Sequence, residues 1–229
     1  MNQDFEYIKK NIEALNKEMS MYPNSKLMAV VKTRTDEEIE YAISECGIDY
    51  LGDNHVQEFN VHTKFLQDAK IDMIGKLQTN KIKYLIGKVN LIQTLDSIHL
   101  ADEINKASQK KNVITNVLIE VNIASEEQKS GVILSDFPAL IEYASKLDNI
   151  NVTGLMTVSK LTSDSKEKHM YFSSLRKLRD EYMQYFKGYS DHPILSMGMT
   201  DSYREALDEG SDVIRIGTGI FGPRKYTNV

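Results

Sequence analysis

Leu27-Met28-Ala29-Val30-Val31-Lys32 is a run of five apolar residues closed by an amine. Such a run reads as a buried strand. Just after it, Thr35-Asp36-Glu37-Glu38 sets a Thr and a Glu three residues apart, the capping-box spacing that opens a helix. That helix carries Ile39, Ala42 and Ile43, and is expected to stop at Gly47, a natural residue for the left-handed turn past a helix end. Strand followed by capped helix is one βα unit, and the remainder of the chain repeats it.

Further strands are expected at 49–52, 71–74, 89–93, 116–121, 152–156, 193–196 and 213–216, with helical stretches at 56–68, 79–86, 99–108, 136–146, 166–186 and 201–209. Ahead of the first strand, Phe5, Ile8, Ile12, Leu15 and Met19 recur every three or four residues and make a helix with one buried face. A βα alternation demands parallel strands joined by crossover helices. Eight such strands in 229 residues predict an α/β fold, a single (β/α)8 barrel of the TIM type over residues 1–229 with an extra N-terminal helix. An open doubly wound sheet is the alternative. Only a short tail follows the eighth strand, so the N-terminal helix is expected to cover the barrel where an eighth helix would lie.

Composition narrows the function classes. A net charge of −5 argues against a nucleic-acid surface, which needs a basic excess. The single Cys46 cannot form an internal disulfide, and no cysteine or histidine spacing matches a zinc site. No apolar stretch approaches the roughly 18 residues of a membrane span, and the N-terminus lacks the layout of a signal peptide. A cytoplasmic protein without metal, and without a nucleic-acid or membrane partner, is expected. His62, His99, His169 and His192 are scattered and read as surface or packing residues.

In a parallel barrel the functional groups gather at the rim to which all strands point. The expected strand exits are Lys32, Asn54, Gly75, Thr94, Asn122, Met156, Ser196 and Arg215. A lysine at such an exit stands where burial and neighbours can depress its amine pKa and make it a nucleophile, although a solvated edge lysine is the commoner case. Phosphate sites of barrels follow strands seven and eight. Those exits are Ser196-Met197-Gly198-Met199-Thr200 and Gly217-Thr218-Gly219, stretches able to turn N–H groups and hydroxyls toward an anion, or to serve as plain turns and caps. An amine at one strand end and a phosphate cradle at another suggest a site for pyridoxal 5'-phosphate (PLP).

Several segments in order carry a family resemblance: Ala29-Val30-Val31-Lys32, Gly52-Asp53-Asn54-His55-Val56-Gln57-Glu58, Ile74-Gly75-Lys76-Leu77-Gln78-Thr79-Asn80-Lys81, Val121-Asn122-Ile123, Lys129-Ser130-Gly131, Gly154-Leu155-Met156, Leu195-Ser196-Met197-Gly198-Met199-Thr200-Asp201 and Arg215-Ile216-Gly217-Thr218-Gly219-Ile220-Phe221-Gly222. Together they resemble the PLP homeostasis family, the YggS/PROSC group, related to the N-terminal domain of alanine racemase. The resemblance runs from about residue 27 to 226. It implies a barrel of PLP fold type III, with PLP held as an aldimine on Lys32. It also implies that Arg215 faces the pyridine nitrogen, that Ser196, Gly217 and Thr218 contact the phosphate, with Met199 and Thr200 as weaker contacts, and that Asn54 is a pocket amide near the ring. His55 stands where a tyrosine is common, and Lys76 where His or Pro is frequent.

The resemblance further implies a monomeric PLP carrier with no catalytic residues, which shields the reactive aldehyde and hands it to PLP-dependent acceptor enzymes. A guanidinium against the pyridine nitrogen discourages its protonation and so weakens PLP as an electron sink. Racemases of this fold type use a second base from a second domain, which this sequence is expected to lack. Two readings stand beside the carrier. One is a racemase or other weak PLP enzyme, with a tyrosine (Tyr203 and Tyr226 flank the phosphate motifs, though such tyrosines are commonly packing residues) or water as the second base; the other is a barrel for a different phosphorylated ligand. The stretch 163–168 after strand six reads as a solvated loop.

Overall fold

The computed structural model describes residues 5–126, 128–160, 162–189 and 191–223. Eight parallel strands close into a barrel in sequence order: β1 (Lys26–Val30), β2 (Tyr50–Asp53), β3 (Lys70–Met73), β4 (Ile92–Leu95), β5 (Thr115–Glu120), β6 (Ile150–Met156), β7 (Ile194–Ser196) and β8 (Val213–Ile216). The closed barrel, rather than the open sheet, is what the strand order requires. Around it lie α1 (Glu6–Met19), α2 (Asp36–Ser44), α3 (Val56–His62), α4 (Ile98–Lys110), α5 (Phe137–Ala144), α6 (Ser165–Glu181), α7 (Tyr203–Asp208) and α8 (Thr218–Phe221).

Local chemistry explains the boundaries. Thr35 accepts from the Glu38 N–H at 3.3 Å while Glu38 accepts from the Thr35 N–H at 3.0 Å, so the capping box starts α2. Gly47, at φ +70°, ends it. Between β3 and β4 the expected helix is a 3-10 segment, Thr79–Tyr84. The fourth strand starts three residues later than the sequence suggested, so Thr94 lies inside it, bonded to the Gly75 carbonyl at 3.0 Å.

The N-terminal helix takes the place predicted for it. Ile8, Ile12, Leu15 and Met19 are buried, and Asn11 donates to the Ile220 carbonyl at 2.9 Å. The tail after β8 nevertheless supplies a single helical turn, α8, against which α1 packs.

Side-chain alternation divides the apolar residues into two layers. Ala29, Val31, Leu51, Ile71, Leu155, Ile214 and their kind face the helices in one large core. Met28, Tyr50 and Val213 point into the barrel, with Ile74 and Ile194 packed against them. A Cβ on Gly52 would stand 2.5 Å from Met28 Sδ and 3.0 Å from Ile74 Cδ1, so a larger residue there would displace the Met28 side chain inside the barrel.

Candidate functional site

β1 and β8 are hydrogen-bonded neighbours, with Ala29 opposite Ile216. The chain leaves both strands at the same rim, so the stretch after Val30 and the stretch after Ile216 lie side by side. A Cβ built on Gly217 would be 3.5 Å from Val30 Cβ. Two segments almost 190 residues apart in sequence thus border one space.

Lys32 is a central residue of the turn that leaves β1, closed by the Arg34 N–H on the Val31 carbonyl at 3.1 Å. Thr33 beside it has φ +61°, a left-handed conformation that a β-branched residue rarely adopts. Its N–H donates to Glu58 Oε1 at 3.2 Å, which ties the Lys32 turn to α3. Asn54 directly follows β2. Its carbonyl approaches Gly75 so closely that a Cβ there would sit 2.1 Å away. Asn54 Oδ1 is buried with no hydrogen-bond partner, an arrangement that costs about 1–3 kcal/mol unless a ligand supplies a donor.

At the exits of β7 and β8 two hydroxyls meet. Thr218 Oγ1 donates to Thr200 Oγ1 at 3.2 Å, and the Gly219 N–H donates to the same oxygen at 3.2 Å. Gly198, at φ +94°, lets the β7 exit turn toward β8. The Met199 N–H is engaged by Ser202 Oγ at 3.1 Å, within its own turn.

Ser196 differs from its expected role. Its side chain is fully buried inside the barrel, where the hydroxyl donates to Gln93 Oε1 at 2.6 Å and accepts from Arg215 Nη1 at 2.7 Å. Both neighbours face inward, so this hydroxyl is committed below the rim rather than turned toward a phosphate there. Arg215 itself is 4 % exposed, and its Nη2 donates to the Thr157 carbonyl at 2.8 Å. Burial lowers its pKa to about 10, against the raising influence of Glu120 and Tyr50, so the guanidinium stays charged at neutral pH. Burial pushes the Glu120 carboxyl up, partly offset by the Ser130 hydroxyl, which donates to it at 2.6 Å.

Other candidates sit elsewhere. The Tyr203 hydroxyl donates to Glu18 Oε2 at 2.8 Å, on the outside of the barrel against α1, where it cannot serve as a base at the rim. Tyr226 lies outside the described residues. Asn122 closes its own loop, exchanging bonds with the Glu126 backbone at 2.8 and 3.2 Å. The stretch 163–168 is largely ordered structure rather than loop: Asp164 caps α6, and Lys168 Nζ reaches the Asp201 carbonyl. His62 is a packing residue, buried against Asp53 at 3.0 Å. Among the described residues no group of three His, Cys, Asp or Glu could hold a metal, and no helix is long and apolar enough to cross a membrane.

Sequence reasoning missed the polar residues inside the barrel, Tyr50, Asp72, Gln93 and Glu120. A signal was there: Ile71-Asp72-Met73, Ile92-Gln93 and Ile119-Glu120-Val121 each set a polar residue against apolar neighbours in or beside a strand.

The sequence matches the alanine racemase N-terminal domain family over residues 3–225. The chain belongs to that family. Within it, a protein of Aquifex aeolicus named pyridoxal phosphate homeostasis protein is 43 % identical over 88 % of this chain and 88 % of its own length. The human protein of that name is 33 % identical over 88 % of this chain and 78 % of its own. Among solved structures, PipY of Synechococcus elongatus PCC7942 with PLP bound superposes at a TM-score of 0.83 with 25 % identity, covering 94 % of this chain and all of that one. The alanine racemase of Corynebacterium glutamicum shares the fold at a TM-score of 0.71 and 16 % identity, over 98 % of this chain and 63 % of that one. The barrel fold is shared with both of these structures, and Lys32, the buried Arg215 and the hydroxyl pair of Thr200 and Thr218 lie on or just past adjoining strands.

Proposed function

We propose that this chain binds PLP at the barrel rim and serves PLP homeostasis as a carrier rather than as an efficient racemase. The observation that carries the reading is the adjacency of the Lys32 turn to the Gly217-Thr218-Gly219 turn across the β1–β8 pair. Lys32 Nζ would take the aldehyde. Thr200, Thr218 and the amides at 217–219 would hold the phosphate, in preference to Ser196, whose hydroxyl is engaged inside the barrel. Arg215 would meet the ring nitrogen, and the unpartnered Asn54 Oδ1 fits a polar group of the ring.

PLP, when bound, supplies an electron sink whose strength depends on a protonated ring nitrogen. A buried, charged Arg215 opposes that protonation, which favours holding the cofactor over carbanion chemistry. The names of the Aquifex aeolicus and human relatives, and the PLP-bound structure of PipY, support the same reading. Tyr203 offers no second base at the rim. Acceptor enzymes for the PLP, a monomeric state and a cytoplasmic location belong to this proposal.

Borohydride reduction of the PLP-loaded protein followed by peptide mass analysis tests it. The expected adduct is on Lys32 and is absent from Lys32→Ala. An unmodified Lys32 in reduced, loaded protein would overturn the site. Rapid exchange of the alanine α-hydrogen with solvent deuterium would overturn the carrier reading in favour of an enzyme.

A further inference from the structure

Inside the barrel, polar side chains from five strands and one loop form a connected file. Arg215 Nη1 donates to Ser196 Oγ at 2.7 Å, Ser196 Oγ donates to Gln93 Oε1 at 2.6 Å, and Gln93 Nε2 donates to Asp72 Oδ2 at 2.7 Å. Asn90 Nδ2 donates to Asp72 Oδ1 at 2.7 Å, and the Tyr50 hydroxyl donates to Oδ2. Asp72, Gln93 and Ser196 are wholly buried. The file starts above a cavity of about 570 Å³ at the end where the strands enter, lined by Tyr50 and Asn90 among others, and it ends under the rim at Arg215.

Chemistry fixes the direction of every bond. A guanidinium can only donate, so Ser196 must accept from Arg215 and send its own proton to Gln93. Gln93 must then turn its carbonyl toward Ser196 and its NH2 toward Asp72. That NH2 needs an acceptor, and an ionised carboxylate supplies one. Three donors converge on Asp72; the Tyr50 hydroxyl could reverse and accept a proton added to Oδ2, but the Gln93 NH2 on the same oxygen cannot accept, so protonation weakens the Gln93 bond and lets that amide turn away.

We propose that Asp72 is a positioning residue for the rim: through Gln93 and Ser196 it fixes how Arg215 presents its guanidinium, and protonation at the barrel floor is felt at the cofactor site. The proposal rests on the assignment of the rim to PLP. Burial raises the Asp72 carboxyl to about 6, so its charge changes in the range where cells and compartments differ. The charged and titratable groups that face the file are Lys70 on β3, Tyr50 on β2, and Glu120 on β5 beside Arg215. Around the floor cavity stand Lys26, Asp49, Asp191, Asp212 and His192, the imidazole resting on Asp212.

The test follows the Arg215 guanidinium by 15N NMR in protein without PLP, across about pH 5 to 8. The wild-type signal is expected to move in one titration step. Asp72→Asn should lose the step, and so should Gln93→Leu, which cuts the file and leaves the carboxylate in place. Glu120→Gln and His192→Gln should keep it. Retention of the step in Gln93→Leu, or its loss in His192→Gln, would overturn the relay. Should Asp72→Asn fail to fold, Gln93→Leu decides alone. With PLP bound, the visible absorbance is expected to show the same step in wild type and none in Gln93→Leu. Absence of a Lys32 adduct in wild type would sink the cofactor reading, while the ligand-free NMR would still decide the file.

Discussion

Arg215 Nη1 lies 2.7 Å from Ser196 Oγ, and the two side chains stand on neighbouring strands inside the barrel. The guanidinium is thus held from β7 while its other arm is held by the Thr157 carbonyl just past β6. Removing the hydroxyl in Ser196→Ala leaves a buried charged donor and the Gln93 carbonyl short of a partner. We expect a stability loss of about 1–3 kcal/mol in urea unfolding, with Lys32 still modified at full stoichiometry. Loss of the Lys32 adduct in that variant would return Ser196 to the cofactor's own contacts.

Thr200 and Thr218 share one hydrogen bond and, in the proposed site, one phosphate. Changing either to Val should weaken PLP retention by about tenfold, the worth of a hydrogen bond to a charged group, and leave the absorbance unchanged. The double variant should fall short of the product of the two effects, because the hydroxyls contact each other. Equilibrium dialysis of PLP checks both expectations.

Asp72 makes acid stability depend on pH in an unusual sense. Its folded-state pKa, about 6, lies above the ordinary carboxyl value of 3.8 because of burial. A raised carboxyl stabilises the fold when protonated, so its contribution is fully present below about 4 and is lost as pH rises through about 6. The difference in unfolding free energy between wild type and Asp72→Asn should therefore grow as pH falls through that window. Its slope should approach about 1.4 kcal/mol per pH unit at most. A difference that shrinks toward acid in paired denaturant titrations would contradict the assignment.

Thr33 holds a left-handed conformation next to Lys32. Thr33→Gly should relieve about 1 kcal/mol of backbone strain while loosening the turn that carries the amine. The expected outcome is an unchanged or higher melting temperature combined with weaker PLP retention. A variant that gains stability and keeps its affinity would show that the turn geometry does not serve the lysine.

The barrel was legible because parallel strands are short apolar runs and the helices between them have caps and stripes. Leu27 to Val31 and Val213 to Ile216 identify themselves in this way. β4 was misplaced because Val89, Leu91 and Ile92 are all apolar, and only the pairing of Ile92 with Met73 on one side and Val117 on the other fixes where the strand begins. The rim amine and the β8 turn were legible from strand ends alone. Ser196 was not: its sequence neighbours suggest an exposed turn, whereas strand alternation aims its hydroxyl inward. The file beneath it could not be read as a unit, because Asp72, Gln93 and Ser196 come together only when strands far apart in sequence curl into one tube.

The seam where the first strand meets the last has a consequence for biogenesis. During synthesis the segment carrying Lys32 is made long before the Gly217-Thr218-Gly219 turn that would grip the phosphate in the proposed site. In the proposed site, capture of the aldehyde awaits the eighth strand, and once achieved it would act as a clasp across the join, so that loaded protein should resist proteolysis near that join better than empty protein.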